Sequence, residues 1–402
     1  MSIWQRKDTR NELPEIETGY RPQGMRNAIG LLLVTMVLLA FGLNMVYSAA
    51  SGDDPSVTAV RLFRNQLLWA TIGSLGGLTA FALGYKFFCR RTLLWLAGCA
   101  VLLLWARCSK EVNGAHRWIH LAGFTFQPSE LTKIAVAIFV ADYCADHVRT
   151  FGSFNWKVRY SIWPLGVAVG CMVGLILLGK DLGTSALVAL VAFLTMFLGG
   201  LRWYYWLPVP VVITGGVFFI KYFDPMRWSR MTTFLDPEKY KSQGGYQLSN
   251  AFYALGDGFW FGRGLGNSRQ KAGFLPENHT DFIMAIIGEE LGFCGVLAVI
   301  TLFILWGFFA FRIAIGANSR KAMLLGGALT LGVVLQAIIN LGVVSGTFPT
   351  KGMPAPFLSY GGSNMVCSLL ATGLLVAIAM DSCVPDYNEK IARTLREKLG
   401  RR

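Results

Sequence analysis

Apolar residues in this chain form long uninterrupted runs, unlike the two-residue or three-to-four-residue periods of water-soluble strands and helices. A helix needs about 20 predominantly apolar residues to cross a bilayer. Runs that approach or exceed this length occupy residues 27–48, 65–85, 93–106, 129–146, 162–178, 182–200, 203–222, 282–311, 322–346 and 356–380. The pattern predicts an all-α integral membrane protein with about ten transmembrane helices.

The composition excludes a water-soluble chain. Hydrophobic residues make up 54% of the 402 positions, charged residues make up 15%, and the mean hydropathy is +0.48. Soluble domains contain more charge, about 25%, and less apolar sequence. The net charge of +14 does not indicate a nucleic-acid partner, because the Lys and Arg residues lie between the apolar runs and not in one patch.

The positive charges also orient the predicted helices. If both termini are cytoplasmic, the cytoplasmic segments hold 21 Lys and Arg residues and the outer segments hold 14, seven of them in one long loop. Positive residues concentrate in short cytoplasmic loops. We therefore expect a cytoplasmic tail over residues 1–26, a transmembrane body over 27–380 with a large outer loop over 223–281, and a basic cytoplasmic tail over 381–402 that contacts anionic membrane lipids.

Small residues and cysteines add little chemistry. Glycines repeat at four-residue spacing at 166, 170 and 174 and at 73 and 77, which predicts close helix packing. The eight cysteines contain no CxxC pair and no His at ligand spacing. Neither a disulfide framework nor a zinc site is expected.

The loop over 223–281 is polar but rich in aromatic residues, so we expect an ordered binding or catalytic loop. Its segment 262–271 combines glycines with Arg263 and Lys271, and either a phosphate contact or a plain glycine turn fits that pattern. Segment 275–281 then leads into an apolar helix. Thr280 is a plausible N-cap, and Asp281 then lies in the first turn, where the helix dipole keeps a carboxylate ionised. Asp281 either stabilises the helix start or acts as a general base.

Two pairs of charged residues lie within apolar runs. Glu130 and Lys133 stand at i,i+3 spacing and predict an ion pair on one helix. Glu289 and Glu290 need partners in the membrane interior. We expect structural roles for all four, with Lys133 as a partner of Glu289.

Further outer segments carry site candidates. Arg117 and Trp118 precede one helix, and residues 349–363, with Lys351 and Ser363, precede another. Each segment taken alone fits a simple turn at a helix mouth. Together with Asp281 they predict a site for an anionic head group above the helices.

These residues resemble the SEDS family of shape, elongation, division and sporulation proteins, which includes FtsW, RodA and SpoVE. The resemblance covers about residues 27–380, and its strongest motifs are Gly-Leu-Gly-Asn-Ser at 264–268, Leu-Pro-Glu at 275–277, His-Thr-Asp-Phe at 279–282, Gly-Glu-Glu-Leu-Gly at 288–292, Pro-Thr-Lys-Gly at 349–352 and Ser-Tyr-Gly-Gly-Ser at 359–363. It implies a peptidoglycan glycosyltransferase of the bacterial cytoplasmic membrane that polymerises lipid II on the outer face. Lys351 favours the division branch (FtsW) over the elongation branch (RodA), and Lys180 departs from a proline that is usual before Asp181.

The resemblance also implies roles and partners. The essential loop aspartate of the family falls on Asp281, our candidate general base. The candidates for binding the substrate are Arg117, Trp118, Arg227, Arg263, Lys271, Glu277, His279, Lys351 and Ser363. A divalent cation, Mg²⁺ or Mn²⁺, is a possible aid to the leaving diphosphate, and no organic cofactor is expected. Expected partners are a class B penicillin-binding protein and divisome regulators.

Three alternatives stay open at this stage. A lipid II flippase would need an alternating-access path through the membrane. A scaffold of the division complex would need no catalytic carboxylate. An elongation polymerase of the RodA type would share the chemistry but act at a different place in the cell.

Overall fold

A computed structural model describes residues 22–52, 58–111, 115–121, 124–147, 156–201, 208–223, 228, 232–234, 239 and 245–383. Most of both predicted tails, and Arg227, lie outside these residues. Helices occupy α1 (Pro22–Ala50), α2 (Thr58–Leu83), α3 (Tyr85–Cys89), α4 (Thr92–Cys108), α5 (Pro128–Asp146), α6 (Trp156–Leu178), α7 (Leu182–Leu198), α8 (Pro208–Phe223), α9 (Tyr246–Gly258), α10 (Ile283–Ile315), α11 (Arg320–Val344) and α12 (Gly362–Cys383). One antiparallel hairpin, β1 (Ile119–Leu121) and β2 (Phe124–Phe126), precedes α5.

The protein is helical, as the apolar runs predict, and every run coincides largely with one helix. Within the described ranges, α1, α2, α10, α11 and α12 are long and apolar enough to cross a membrane, and α4, α7 and most of α6 are shorter apolar helices. Large apolar side chains such as Leu93, Leu94 and Ile304 are exposed on the outer surface of the bundle. These features describe a multi-pass membrane protein.

Glycines allow a close helix contact between α2 and α12. A Cβ atom added to Gly373 would lie 2.1 Å from the carbonyl oxygen of Gly77, so only glycine allows this approach. At Gly166, Gly170 and Gly174 an added Cβ would meet no described atom within 4 Å. The predicted packing role therefore holds at Gly77 and is wrong for the 166–174 series among the described contacts.

Helix α10 is interrupted at Gly292, whose φ of 69° and ψ of −167° lie outside the helical region. The segment 259–264 fills the interruption with backbone hydrogen bonds. Phe293 N donates to Phe259 O at 2.7 Å, and Arg263 N donates to Glu289 O at 3.0 Å. An added Cβ on Gly292 would lie 2.4 Å from Gly262 N. The segment before α10 is thus built into the helix that follows it, and this anchors the segment beside Asp281.

Candidate active site at the start of helix α10

Asp281 lies just before α10 in a series of turns that begins at Pro276. The helix N-cap is Phe282, which makes no side-chain capping bond, so the prediction of Thr280 as N-cap is wrong. The Thr280 hydroxyl donates instead to a Glu277 carboxylate oxygen at 2.9 Å. Glu277 adopts a φ of 55°, and its carbonyl accepts from Thr280 N and Phe282 N. The turn therefore holds Asp281 ahead of the helix and not inside its first turn.

The Asp281 carboxyl is not held ionised, contrary to the expectation from the helix dipole. Burial, which is the largest cause, and the nearby Glu277 carboxylate together raise its pKa to about 7, against the opposing positive charge of Arg117. Removal from water disfavours the charged form of an acid, and a like charge does the same. A carboxyl group with this pKa can take up a proton and lose it again near neutral pH.

The segment containing Lys351 packs directly against Asp281. A Cβ added to Gly352 would lie 2.8 Å from Asp281 Oδ2, so a glycine lets this backbone reach the carboxylate. Asn340 of α11 ties the two segments together, because its Nδ2 donates to Asp281 O at 2.9 Å and to Met353 O at 2.8 Å. Burial lowers the pKa of Lys351, and the negative charge of Asp181 opposes that effect.

Asp181 is a member of the site that the sequence analysis did not select. Its side chain is buried and caps α7, where Oδ1 accepts from Thr184 N at 3.2 Å. The guanidinium of Arg117 lies 3.9 Å from Oδ1 and donates to Lys180 O at 2.8 Å. An aspartate directly before an apolar helix was the available signal. Asp181 connects Arg117 and Lys351 electrostatically, so carboxylates and cations alternate around the site.

Gln127 and Ser129, at the start of α5, hold the Asp181 carboxylate, and Ser363 in turn contacts Gln127. Oδ2 of Asp181 accepts from Gln127 Nε2 at 2.9 Å and from Ser129 Oγ at 3.0 Å. The Ser363 hydroxyl accepts from Gln127 N at 2.8 Å, and its side chain is buried. This position makes Ser363 a link between α12 and the α5 turn, which does not fit its predicted direct contact with substrate.

His279 lies two residues before Asp281, and Trp118 follows Arg117 in the chain. The His279 ring lies 5.7 Å from the Tyr360 ring, and its carbonyl accepts from Tyr360 N at 2.9 Å. Trp118 is half-buried between Arg117 and the β1 strand. The predicted contacts of both residues with substrate remain proposals.

The buried glutamates of α10 bind the preceding loop and not Lys133. Glu289 accepts hydrogen bonds from the Ser268 hydroxyl, from Arg269 N at 2.7 Å and from Gln270 N at 3.3 Å. Glu290 accepts from the Ser48 hydroxyl at 2.7 Å and pairs with Lys271 Nζ at 3.1 Å. The predicted pairing of Lys133 with Glu289 is wrong, because the loop supplies the donors at much shorter range.

Lys133 instead pairs within its own helix. Its Nζ lies 2.7 Å from Glu130, as the i,i+3 spacing predicts, and it also donates to the side-chain oxygen of Gln336. Gln336 Nε2 in turn donates to Pro354 O at 2.8 Å and to Asn364 at 3.0 Å. The polar groups of α11 therefore hold the Lys351 segment in place.

Two predicted phosphate ligands have other partners. Lys271 is buried, and besides Glu290 its Nζ donates to Gly266 O at 2.7 Å. Arg263 is half-exposed and pairs with Asp257 at 3.0 Å. Neither cation is directed at Asp281 by a contact in the described part of the chain, whereas Arg117 acts electrostatically on Asp281 and the segment of Lys351 packs against it.

Among the residues that the structure describes, no group of three or more His, Cys, Asp and Glu side chains could hold a metal ion. Beside Asp281, Glu277 is a second carboxylate, and the charges of the two interact. Mg²⁺ commonly binds through one or two carboxylates and completes its shell with water and substrate phosphates. This donor set fits a divalent cation that arrives with a phosphorylated substrate.

Comparisons with known proteins agree with this architecture. Residues 29–383 match the FtsW, RodA and SpoVE family model, described as a cell cycle protein. The chain is 36% identical over 362 residues to a probable peptidoglycan glycosyltransferase FtsW of Trichlorobacter lovleyi, with 87% of this chain and 92% of the relative covered. It is 38% identical over 370 residues to the FtsW of Aromatoleum aromaticum, with 88% and 86% covered.

Solved structures show the same fold. A chain from a peptidoglycan synthase complex that coordinates polymerisation and crosslinking has a TM-score of 0.71 at 22% identity, covering 88% of this chain and 98% of that chain. The rod-shape-determining protein RodA of Thermus thermophilus has a TM-score of 0.64 at 24% identity, covering 90% and 97%. From the match over nearly its whole length, the chain belongs to the FtsW, RodA and SpoVE family.

Proposed function

We propose that this protein is a peptidoglycan glycosyltransferase that polymerises lipid II into glycan strands at the outer face of the cytoplasmic membrane during cell division. Relatives that are 36% and 38% identical over most of the chain carry the name peptidoglycan glycosyltransferase FtsW. The observation that carries the proposal is Asp281, a partly buried carboxyl with a pKa of about 7 beside Lys351 and Arg117. A base and cations are what glycosyl transfer from a lipid diphosphate needs.

In the proposed step, a sugar hydroxyl of one substrate attacks the anomeric carbon of the other. The bond from that carbon to the diphosphate oxygen breaks, the new glycosidic bond forms with inversion, and the hydroxyl proton passes to Asp281. A base whose pKa lies near the working pH combines a sufficient ionised fraction with a useful affinity for the proton. The pKa of about 7 meets that condition, whereas an ordinary aspartate would be a weaker base.

The leaving lipid diphosphate carries the negative charge that develops in the reaction. Fixed cations stabilise such charge best when they are in place beforehand. Asp181 and the Lys180 carbonyl fix the guanidinium of Arg117, and Lys351 is half-buried with its segment held by Asn340. We assign the diphosphate to Arg117 and Lys351. The predicted Mg²⁺ or Mn²⁺ ion would be held by Glu277 and the substrate phosphates, which leaves the Asp281 carboxylate free to accept the proton.

The proposed topology has ten membrane crossings, cytoplasmic termini and the loop over 223–281 on the outer side. The long apolar helices and the loop charges support it. We also propose a penicillin-binding protein of class B as partner, since the solved neighbour belongs to a complex that coordinates polymerisation and crosslinking. Divisome regulators and a septal location follow from the division branch.

A reconstituted assay with purified protein and fluorescent lipid II tests the proposal. Asp281→Asn should lower the rate of glycan formation by about 10²–10⁴-fold, because the base is lost while the fold is kept. Lys351→Ala should mainly raise the lipid II concentration needed for half-maximal rate, since a point charge for the diphosphate is removed.

The outcomes separate the possible functions. Normal strands from Asp281→Asn would refute the base assignment. A wild-type protein that moves lipid II across vesicles without making glycan would be a flippase, and one that does neither would be a scaffold. Rescue of elongation and not of division in cells lacking the native protein would assign it to the elongation branch.

A further inference from the structure

A second site lies at the end of the bundle opposite to Asp281. A cavity of about 470 Å³ lies between the first turn of α1, the last turn of α10 and the end of α12, where Ser382 borders it. Its volume is within the range of about 300–1,000 Å³ that small-molecule sites occupy. Arg312 lines it, and Asp281 lies at the other end of α10, so the cavity is separate from the candidate active site.

The polar side of this cavity contains an amide without a partner. Asn27 as a whole residue is only 9% exposed and lines the cavity, and none of the hydrogen bonds formed by the described residues involves its side-chain amide, which therefore faces the cavity. Gln23 lies one turn earlier on α1, is exposed and lines the cavity, and its side-chain amide also makes no hydrogen bond within the described residues. Polar groups on a cavity wall bond to water or to a ligand there. An occupant with oxygen acceptors would supply the missing partner.

The charge around the cavity favours a negative occupant. Arg312 is a lining cation, and none of the lining residues in the described part of the chain is acidic. Helix α1 begins beside the cavity with no acidic residue in its first turn, so the positive end of the helix dipole adds to this field. A guanidinium, a helix start and free amides together match the oxygens of a phosphate group.

The other side of the cavity is apolar and opens toward the surface of the bundle. Phe308, Phe311 and Ile315 line it and are 49%, 54% and 64% exposed. Arg312 lies 5.6 Å from the centroid of the Phe308 ring, which places the cation against the apolar wall. A free phosphate ion would gain nothing from this wall, whereas an acyl chain would cover it.

We propose that this cavity binds an anionic phospholipid from the adjacent leaflet, with its phosphate at Arg312, Gln23 and Asn27 and an acyl chain along Phe308, Phe311 and Ile315. Basic pockets between transmembrane helices are known sites for anionic head groups. The single cation and the lack of acidic lining residues select for net negative lipids over zwitterionic ones. In the proposed topology this leaflet is the cytoplasmic one.

Native mass spectrometry of the full-length protein tests the site. Protein in detergent is titrated with phosphatidylglycerol or phosphatidylcholine, and bound lipid is counted. Arg312→Gln should weaken retention of phosphatidylglycerol about tenfold, because a charge-assisted hydrogen bond is lost. Asn27→Asp, a change of nearly equal size, should weaken it as well by repelling the phosphate. Arg91→Gln is the matched control, since Arg91 lies 5.0 Å over the Phe87 ring but does not line the cavity.

The proposal predicts tighter retention of phosphatidylglycerol than of phosphatidylcholine, a loss in both cavity variants, and no loss in Arg91→Gln. Equal retention of the two lipids by the wild type would overturn it. So would equal losses in Arg312→Gln and Arg91→Gln, which would indicate general surface charge. Displacement of the lipid by millimolar inorganic phosphate would show that the apolar wall contributes nothing and would equally refute a lipid site.

Discussion

The pH dependence of polymerisation tests the proposed role of Asp281 as a base, because burial, Glu277 and Arg117 together set its pKa. Burial and the Glu277 carboxylate raise that pKa from 3.8 to about 7. A carboxyl group is about one-tenth ionised at one pH unit below its pKa and about nine-tenths ionised at one pH unit above it. We therefore expect kcat/KM to rise about tenfold per pH unit below pH 7 and to level off above about pH 8.

Two substitutions should move this inflection in opposite directions. Glu277→Gln removes a negative charge that raises the pKa of Asp281, so the inflection should move to lower pH. Arg117→Gln removes a positive charge that lowers it, so the inflection should move to higher pH, whatever happens to the maximal rate. Partial unfolding would lower both rates but would not shift the two profiles apart.

The assay measures initial rates of glycan formation from fluorescent lipid II between pH 5 and 9, with purified protein in one detergent and at constant ionic strength. Asp257→Asn is the control, because this carboxylate of α9 pairs with Arg263 and does not contribute to the pKa shift of Asp281. A wild-type inflection near pH 4, or shifts of the same sign in Glu277→Gln and Arg117→Gln, would refute the reasoning.

Three stability predictions follow from the same contacts. The raised folded pKa of Asp281 means that stability is lost as pH rises from 3.8 toward 7, so Asp281→Asn should raise the melting temperature more at pH 8 than at pH 5, and no difference would contradict the pKa. Lys271→Met leaves the buried Glu290 carboxylate without its cation and should destabilise by about 3–5 kcal/mol in a thermal assay, with partial recovery on adding Glu290→Gln. Gly292→Ala should prevent stable folding, whereas Gly332→Ala, where an added Cβ meets no described atom within 4 Å, should be tolerated.

The helices could be predicted from the sequence because each apolar run is long and local. Helix α1 covers the predicted run 27–48, and α7 covers 182–198 of the predicted 182–200. The first residues of the helices are less well predicted where polar residues belong to the helix. Helix α2 begins at Thr58, seven residues before the predicted run, since Arg61 and Arg64 are helical without being apolar.

The candidate site was only partly predictable, because its contacts join distant segments. Asp281 could be selected from its place before an apolar helix, and the Glu130–Lys133 pair from its spacing. The partners of Glu289 could not, since Ser268 comes near only through the interruption of α10 at Gly292. No local pattern shows that a loop will enter a helix.

The same interruption explains why the loop motif and the two glutamates occur in one protein. If α10 were continuous, Phe293 N would bond to Glu289 O, and the segment 259–264 would have no anchor. With the interruption, backbone bonds from Arg263 and Gly264 and side-chain bonds to Glu289 and Glu290 fix both edges of the loop that leads to Asp281. In the proposed mechanism the glutamates therefore act as positioning residues that do not touch the substrate, because they hold the loop that leads to Asp281 beside Lys351 and Arg117.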